Sequence, residues 1–189
     1  MSDLRSGSYS DEKLMQLITS GDQKAFNELY RRYNQRLYYY FLRMLGNSGE
    51  TANDFLQELF LKIIENPARF NPEYSFKTWI FSVAYNLCKN EYRRQEVRKN
   101  ASPVIDQLLE PRLPQEISQE DLVNRIFEKL DELGPEQRSV FLMHYREGFQ
   151  IKEIASILGT SEGTVKSRLF YTRKYLAEKF QHFVDQIEF

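Results

Sequence analysis

A chain of 189 residues, 41% of them hydrophobic, can form one domain with a substantial core or two small tethered helical domains. Its 26 Lys and Arg against 27 Asp and Glu give a formal charge of −1. That excludes holding nucleic acid by bulk electrostatics, because nonspecific affinity needs many cations facing phosphates, so any DNA contact must be local. One cysteine, Cys88, excludes an internal disulfide or a thiolate metal cage, and His144 and His182 lack further ligands at metal-site spacing.

No signal-type run opens MSDLRSGSYSDE and no stretch of 18 apolar residues could span a bilayer, so the expectation is a soluble, cytoplasmic protein without membrane insertion. No cofactor or metal is expected, and no acid/base pair or activated nucleophile marks an enzyme.

The first predicted helix follows Ser10, an N-cap residue, with Leu14, Leu17 and Ile18 at helical spacing, and ends at Ser20-Gly21. The second carries Phe26, Leu29, Tyr30, Tyr33, Leu37, Tyr40, Phe41 and Met44 on one stripe and stops at Gly46. A third, from about Glu50 to Glu65, sets Ala52, Phe55, Leu56, Leu59, Phe60, Ile63 and Ile64 on one side, and Pro67 blocks its continuation.

The loop ARFNPEYS leads to a fourth helix that buries Phe76, Trp79, Ile80, Val83 and Leu87 and turns polar from Lys89 to Arg94. From Gln95 to Gln119 periodicity fades and three of six prolines appear, which is the composition of a tether. A helix near Gln119 to Leu133 follows, then Pro135 at a helix N1 position, then a helix with Val140, Phe141 and Tyr145 that Gly148 ends. The fold class is all-α, with a four-helix N-terminal domain over 11–95, a flexible linker over 96–118 and a helix-turn-helix C-terminal domain over 119–181.

The last segment, QIKEIASILGTSEGTVKSRLFYTRK, is helix, glycine turn, helix. A phosphate-binding loop fails here, since a helix precedes the glycines and no G-x-x-x-x-G-K spacing exists. On the final helix, with Ser161 as N-cap and Glu162 in the first turn, Val165, Leu169, Thr172, Leu176 and Phe180 form the inward sector. Gly163, Ser167, Tyr171 and Lys174 point outward, with Lys166, Arg168 and Arg173 alongside. Small outward side chains flanked by cations suit entry into a major groove; a charged face that merely solvates the helix is the alternative.

LDELGPEQRSVFLMHYREGFQIKEIASILGTSEGTVKSRLFYTRKYL resembles region four of the extracytoplasmic-function branch of bacterial RNA polymerase sigma factors. AFNELYRRYNQRLYYYFLRMLG with ANDFLQELFLKIIENPARFNPEYSFKTWIFSVAYNLCKNEYRR resembles region two, and the order and spacing agree. The resemblance implies a subunit that binds core RNA polymerase and directs transcription initiation at promoter DNA, with an anti-sigma factor as a further partner. A stand-alone helix-turn-helix regulator is the competing expectation.

The resemblance further implies a polymerase contact through Asp54, Gln57, Glu58, Leu61 and Lys62 of DFLQELFLK. It implies minus-ten DNA contacts by Phe70, Asn71, Tyr74 and Ser75 in the loop, and by Lys77, Asn86, Lys89, Asn90 and Arg93 on the fourth helix, with Phe70 as a lid on the core the equal alternative for that residue. Minus-thirty-five contacts fall on Ser161, Glu162, Gly163, Thr164 and Lys166, and then on Ser167, Arg168, Tyr171, Arg173 and Lys174. Tyr85 and Asn90 depart from the Arg and Asp of many relatives, a difference bearing on minus-ten preference.

Overall fold

The structure, a computed structural model, describes residues 9–101 and 119–184, and every regular element among them is helical. Helix α1 (Asp11–Thr19) starts where the Ser10 hydroxyl accepts the Lys13 amide at 3.2 Å. Helix α2 (Gln23–Met44) starts where the Asp22 carboxylate accepts the Lys24 and Ala25 amides at 2.8 and 3.1 Å. The predicted stripe of α2 is buried from Leu29 to Met44, except that Tyr30 is exposed and lies against Phe60. Gly46 and Asn47 then take positive φ, and Ser48 caps α3 (Gly49–Glu65).

A 3-10 turn at Pro67–Arg69 leads to α4 (Phe76–Ala101), whose start is fixed from α1: the Glu12 carboxylate accepts the Phe76 amide at 3.0 Å. The neighbouring Asp11 accepts from the Tyr33 hydroxyl and from Arg32, which ties α1 to α2 as well. Helix α4 runs six residues past Gln95, and Gln95 to Arg98 are exposed, so burial ends without ending the helix; Gln, Glu and Arg are good helix formers. The remainder of the expected tether, 102–118, lies outside the described residues.

In the second half, α5 (Gln119–Asp131) precedes Gly134, after which Pro135 opens α6 (Pro135–Phe141) at N1. A π-helical turn follows at Leu142–Arg146, closed by the Glu147 amide donating to the Leu142 carbonyl at 3.1 Å. Then come α7 (Ile151–Leu158) and α8 (Glu162–Val184).

The two halves are packed together in one continuous core. Helix α4 buries two apolar stripes. Phe76, Ile80 and Leu87 form the predicted one, and Phe81, Ala84, Tyr85 and Cys88 form a second at i, i+3, i+4, i+7 that faces the C-terminal half. Phe81 meets the ring of Phe149 with centroids 5.1 Å apart, and Tyr40 of α2 shares a hydrogen bond with Ser139 of α6 at 2.8 Å. Arg36 grips the buried Glu147 carboxylate at 2.7 and 2.8 Å, and the Lys77 ammonium donates to the Glu147 carbonyl at 2.9 Å while lying over Phe149.

Buried Arg138 donates to the Met44 carbonyl and the Tyr92 hydroxyl of the first half at 3.3 and 3.1 Å. It also reaches the Leu130, Asp131 and Leu133 carbonyls at the end of α5. One guanidinium therefore satisfies terminal carbonyls of two helices, groups that burial would otherwise leave unpaired.

Glu28, buried on α2, accepts from Arg31 and Arg32 at 2.8–2.9 Å, and those hydrogen bonds hold its carboxyl at about 2, below the ordinary 4.5. A carboxylate whose folded pKa is depressed stabilises the fold above its unfolded pKa and loses that contribution as pH falls through the folded value. Stability to urea should fall as pH drops from about 4.5 to about 2. Glu28→Gln should show a smaller drop across that window, whereas parallel curves would remove Glu28 from the acid response.

Candidate nucleic-acid interface

The helix-turn-helix is built by local rules. Gly159 takes φ +64, a left-handed conformation at the C-cap of α7, where the Gly159 and Thr160 amides donate to the Ser156 and Ala155 carbonyls. Two residues on, Ser161 caps α8 by accepting the Thr164 amide at 3.1 Å. Val165, Leu169 and Thr172 are buried, with Leu176 and Phe180 partly so, which fixes the rotation of α8 as its wheel predicts.

Ser161, Glu162, Gly163, Lys166, Ser167, Tyr171, Arg173 and Lys174 are accordingly exposed, and Thr164 partly so, sharing a hydrogen bond with Ser161 at 2.9 Å. Arg168 differs from its fellow cations. It is ion-paired with Glu136 at the start of α6, close to Tyr85 of α4, and is mostly withdrawn from solvent.

On α3, Asp54, Gln57 and Glu58 are exposed, and Glu58 pairs with Lys62 at 2.9 Å across one turn. Leu61 is 54% exposed and Ile64 52%. Ile64 thus leaves the core stripe assigned to it, because the packed arc closes at Leu59, Phe60 and Ile63. The result is a small apolar patch beside charged groups, the composition of a protein contact.

In the loop before α4, Asn71, Tyr74 and Ser75 are exposed, with Asn71 accepting the Glu73 amide at 3.0 Å and Ser75 the Thr78 amide at 3.3 Å. Phe70 is not offered to a ligand: it is 6% exposed and packs edge-on against Phe76 and beside Trp79. Of its two expected readings, base contact and lid on the core, this packing is that of a lid over the start of α4.

Asn86, Lys89, Asn90 and Arg93 are exposed along α4. Lys77 instead turns into the second half, where burial and nearby Arg36 lower its pKa. Tyr85, expected to bear on sequence preference, is 4% exposed, on the side of α4 that faces the C-terminal half. Sequence reasoning missed Arg94, Val97 and Arg98, which continue the Asn90–Arg93 side of α4 as an exposed basic groove. Their i+4 spacing from Asn90, Arg93 and Arg94 was the available signal.

The sigma-70 region 2 family model matches residues 29–98, and the sigma-70 region 4 model matches residues 124–176. The ECF RNA polymerase sigma factor SigX of Bacillus subtilis is 30% identical over 155 residues, covering 77% of this chain and 78% of its own. The ECF RNA polymerase sigma-E factor of Haemophilus influenzae is 27% identical over 183 residues, covering 91% and 96%. Among solved structures, the sigma factor RpoE of Bartonella quintana, in complex with the anti-sigma factor NepR, superimposes with TM-score 0.70 at 21% identity, over 84% of this chain and 98% of that one. CnrH, in complex with the cytosolic domain of CnrY, gives 0.66 at 22% identity, over 94% and 99%. At such identity these two likenesses speak for the fold.

The cations of α8 should separate in salt titrations on a duplex that the chain selects from a random pool. Lys166→Ala should lower the slope of log affinity against log salt by about 0.9, the loss of one phosphate contact. Arg168→Ala should lower it by less, since Glu136 already holds that guanidinium. Glu136→Gln should raise the slope, and three identical slopes would make all three residues bystanders.

Proposed function

The chain belongs to the extracytoplasmic-function branch of the sigma-70 family of RNA polymerase sigma factors, and from that premise we propose how its two halves divide promoter recognition. As a member it binds core RNA polymerase and directs promoter-specific transcription initiation. Residues 11–95, with the rest of α4, act as region two, and residues 119–181 as region four. The face of α3 with Asp54, Gln57, Glu58, Leu61 and Lys62, extended by Ile64, holds the polymerase.

Asn71, Tyr74, Ser75, Asn86, Lys89, Asn90 and Arg93 meet the minus-ten strand, where an exposed ring beside cations and amides can stack and hold unpaired bases. The outward face of α8 enters the major groove of the minus-thirty-five duplex, with Ser161, Gly163, Thr164 and Ser167 nearest the base edges and Lys166, Arg173 and Lys174 on phosphates.

The observation that supports this reading best is the pairing, in one chain and in this order, of an exposed apolar patch on α3 with a helix-turn-helix whose outer face is small and cationic. Energetics agree. Separating about ten base pairs costs roughly 1.4 kcal/mol per step, while stacking two or three bases returns about 1–3 kcal/mol each. The deficit falls to polymerase, so the chain acts as a subunit, without catalysis of its own, in the bacterial cytoplasm. An anti-sigma factor is a further partner, on the precedent of RpoE with NepR.

Purified chain should co-migrate with bacterial core polymerase, and failure to do so would sink the reading. Leu61→Glu with Ile64→Glu should weaken that association at least about tenfold, since burying each such side chain is worth about 1.5–3 kcal/mol. Duplex binding through α8 should be unchanged; loss of both activities together would indicate misfolding.

A further inference from the structure

We propose that Glu12 of α1 is a positioning residue for minus-ten recognition: by accepting the Phe76 amide, its carboxylate fixes where the exposed loop of residues 71–75 stands beside α4. The inference rests on the function proposed above. Helix α1 lies outside residues 29–98, the stretch that matches the region 2 family model, and carries none of the contacts assigned there. It nevertheless meets both ends of the loop, packing on the 3-10 turn before it and on α4 after it.

The loop shapes itself but does not place itself. Asn71 accepts the Glu73 amide on its side chain and the Tyr74 amide on its carbonyl, at 3.0 and 3.1 Å. Ser75 accepts the Thr78 amide on its hydroxyl and the Trp79 amide on its carbonyl, at 3.3 and 3.0 Å. None of these bonds leaves residues 71–79. Buried Phe70 and Phe76, edge-on at 5.4 Å, draw the loop ends together. Among the described residues, the Glu12 bond, at 3.0 Å, is the one hydrogen bond that joins residues 71–76 to a distant element.

Phe76 is fully buried, so its amide requires a partner, and the Ser75 hydroxyl is already committed to Thr78. A carboxylate suits that place, since the helix dipole favours negative charge at an N-terminus. Burial works against the charged form of Glu12, but the Phe76 amide, its own amide and the Ser10 hydroxyl outweigh it and lower the carboxyl's pKa. The acceptor is therefore ionised at neutral pH. Its aim is held in turn by Asp11, which ties the first turn of α1 to Tyr33 and Arg32 of α2.

The consequence falls on Tyr74, which is 68% exposed and stands two residues before the tethered amide. Its ring can stack on a base only where Asn86, Lys89 and Asn90 of α4 reach the same strand, and a loop already held there loses less freedom on binding.

Holoenzyme assembled from core polymerase and the full chain tests this on a single-stranded DNA that the parent holoenzyme selects from a random pool. Glu12→Ala should weaken that strand about tenfold, as expected for one hydrogen bond to a charged group, with core association and duplex binding through α8 unchanged. Glu12→Gln, whose amide oxygen can still accept from Phe76, should stay within about twofold of the parent. In a Tyr74→Ala background, Glu12→Ala should add less than about twofold, because placement ceases to matter once the placed ring is gone, whereas a general structural loss would add in full. Glu12→Asp, which withdraws the carboxylate by one methylene, carries the same test where alanine unfolds the chain: it should weaken the strand and spare core association.

An unmoved strand affinity in Glu12→Ala, or in Glu12→Asp where alanine unfolds the chain, overturns the proposal. So does a Glu12→Gln chain as weak as Glu12→Ala, or full additivity with Tyr74→Ala, and each of these leaves the function proposed above intact. A parent holoenzyme that selects no strand overturns both.

Discussion

Burial of α4 on two sides is the constraint on which the rest of the molecule depends. A helix with one apolar stripe can settle against a single neighbour and leave its remaining surface to water. The first stripe of α4 is satisfied by α1, α2 and α3, but Phe81, Ala84, Tyr85 and Cys88 would remain exposed without a second layer. Helices α6 and α7 supply it. That requirement explains why Arg138, Ser139 and Glu147, polar residues on the second half, are all buried and all hydrogen-bonded to the first. Desolvated polar groups without partners are costly, so these pairs fix the register of an interface whose apolar contacts alone would permit sliding.

Charge is organised by the same economy. A net charge near zero conceals cations gathered on the outer end of α4 and along α8, while carboxylates such as Glu28, Glu136 and Glu147 are engaged by arginines. The field that DNA would meet is therefore local. Cys88 belongs to this dry interior: burial pushes its thiol well above the ordinary range, so it behaves as a small apolar side chain.

Most of the fold was legible because helical burial writes itself as a 3.6-residue period, and the caps at Ser10 and Ser161 stand where the sequence puts them. The second stripe of α4 was written in the same period but masked by the first, which shares the segment and begins with the more conspicuous Phe76 and Trp79. Ile64, placed on the core stripe, is exposed, and the choice between the two readings of Phe70 stayed open, because hydrophobicity does not say where a packed arc ends or whether a loop folds back. The outward face of α8 was readable from its wheel. The engagement of Lys77 and Arg168 was not, since their partners lie 70 and 32 residues away and only tertiary packing brings them near.

The π-helical turn at Leu142–Arg146 adds a residue to a helical repeat, and each residue of an α-helix is worth about 100° of rotation. The chain beyond it is set out of phase with α6, and that phase carries Glu147 and Phe149 to the side on which α4 waits. A homologue one residue shorter here would gain a more regular helix and aim those two side chains elsewhere. Insertions and deletions in this turn thus act as a phase setting between the halves, a form of variation that substitution-by-substitution comparison of such chains would overlook.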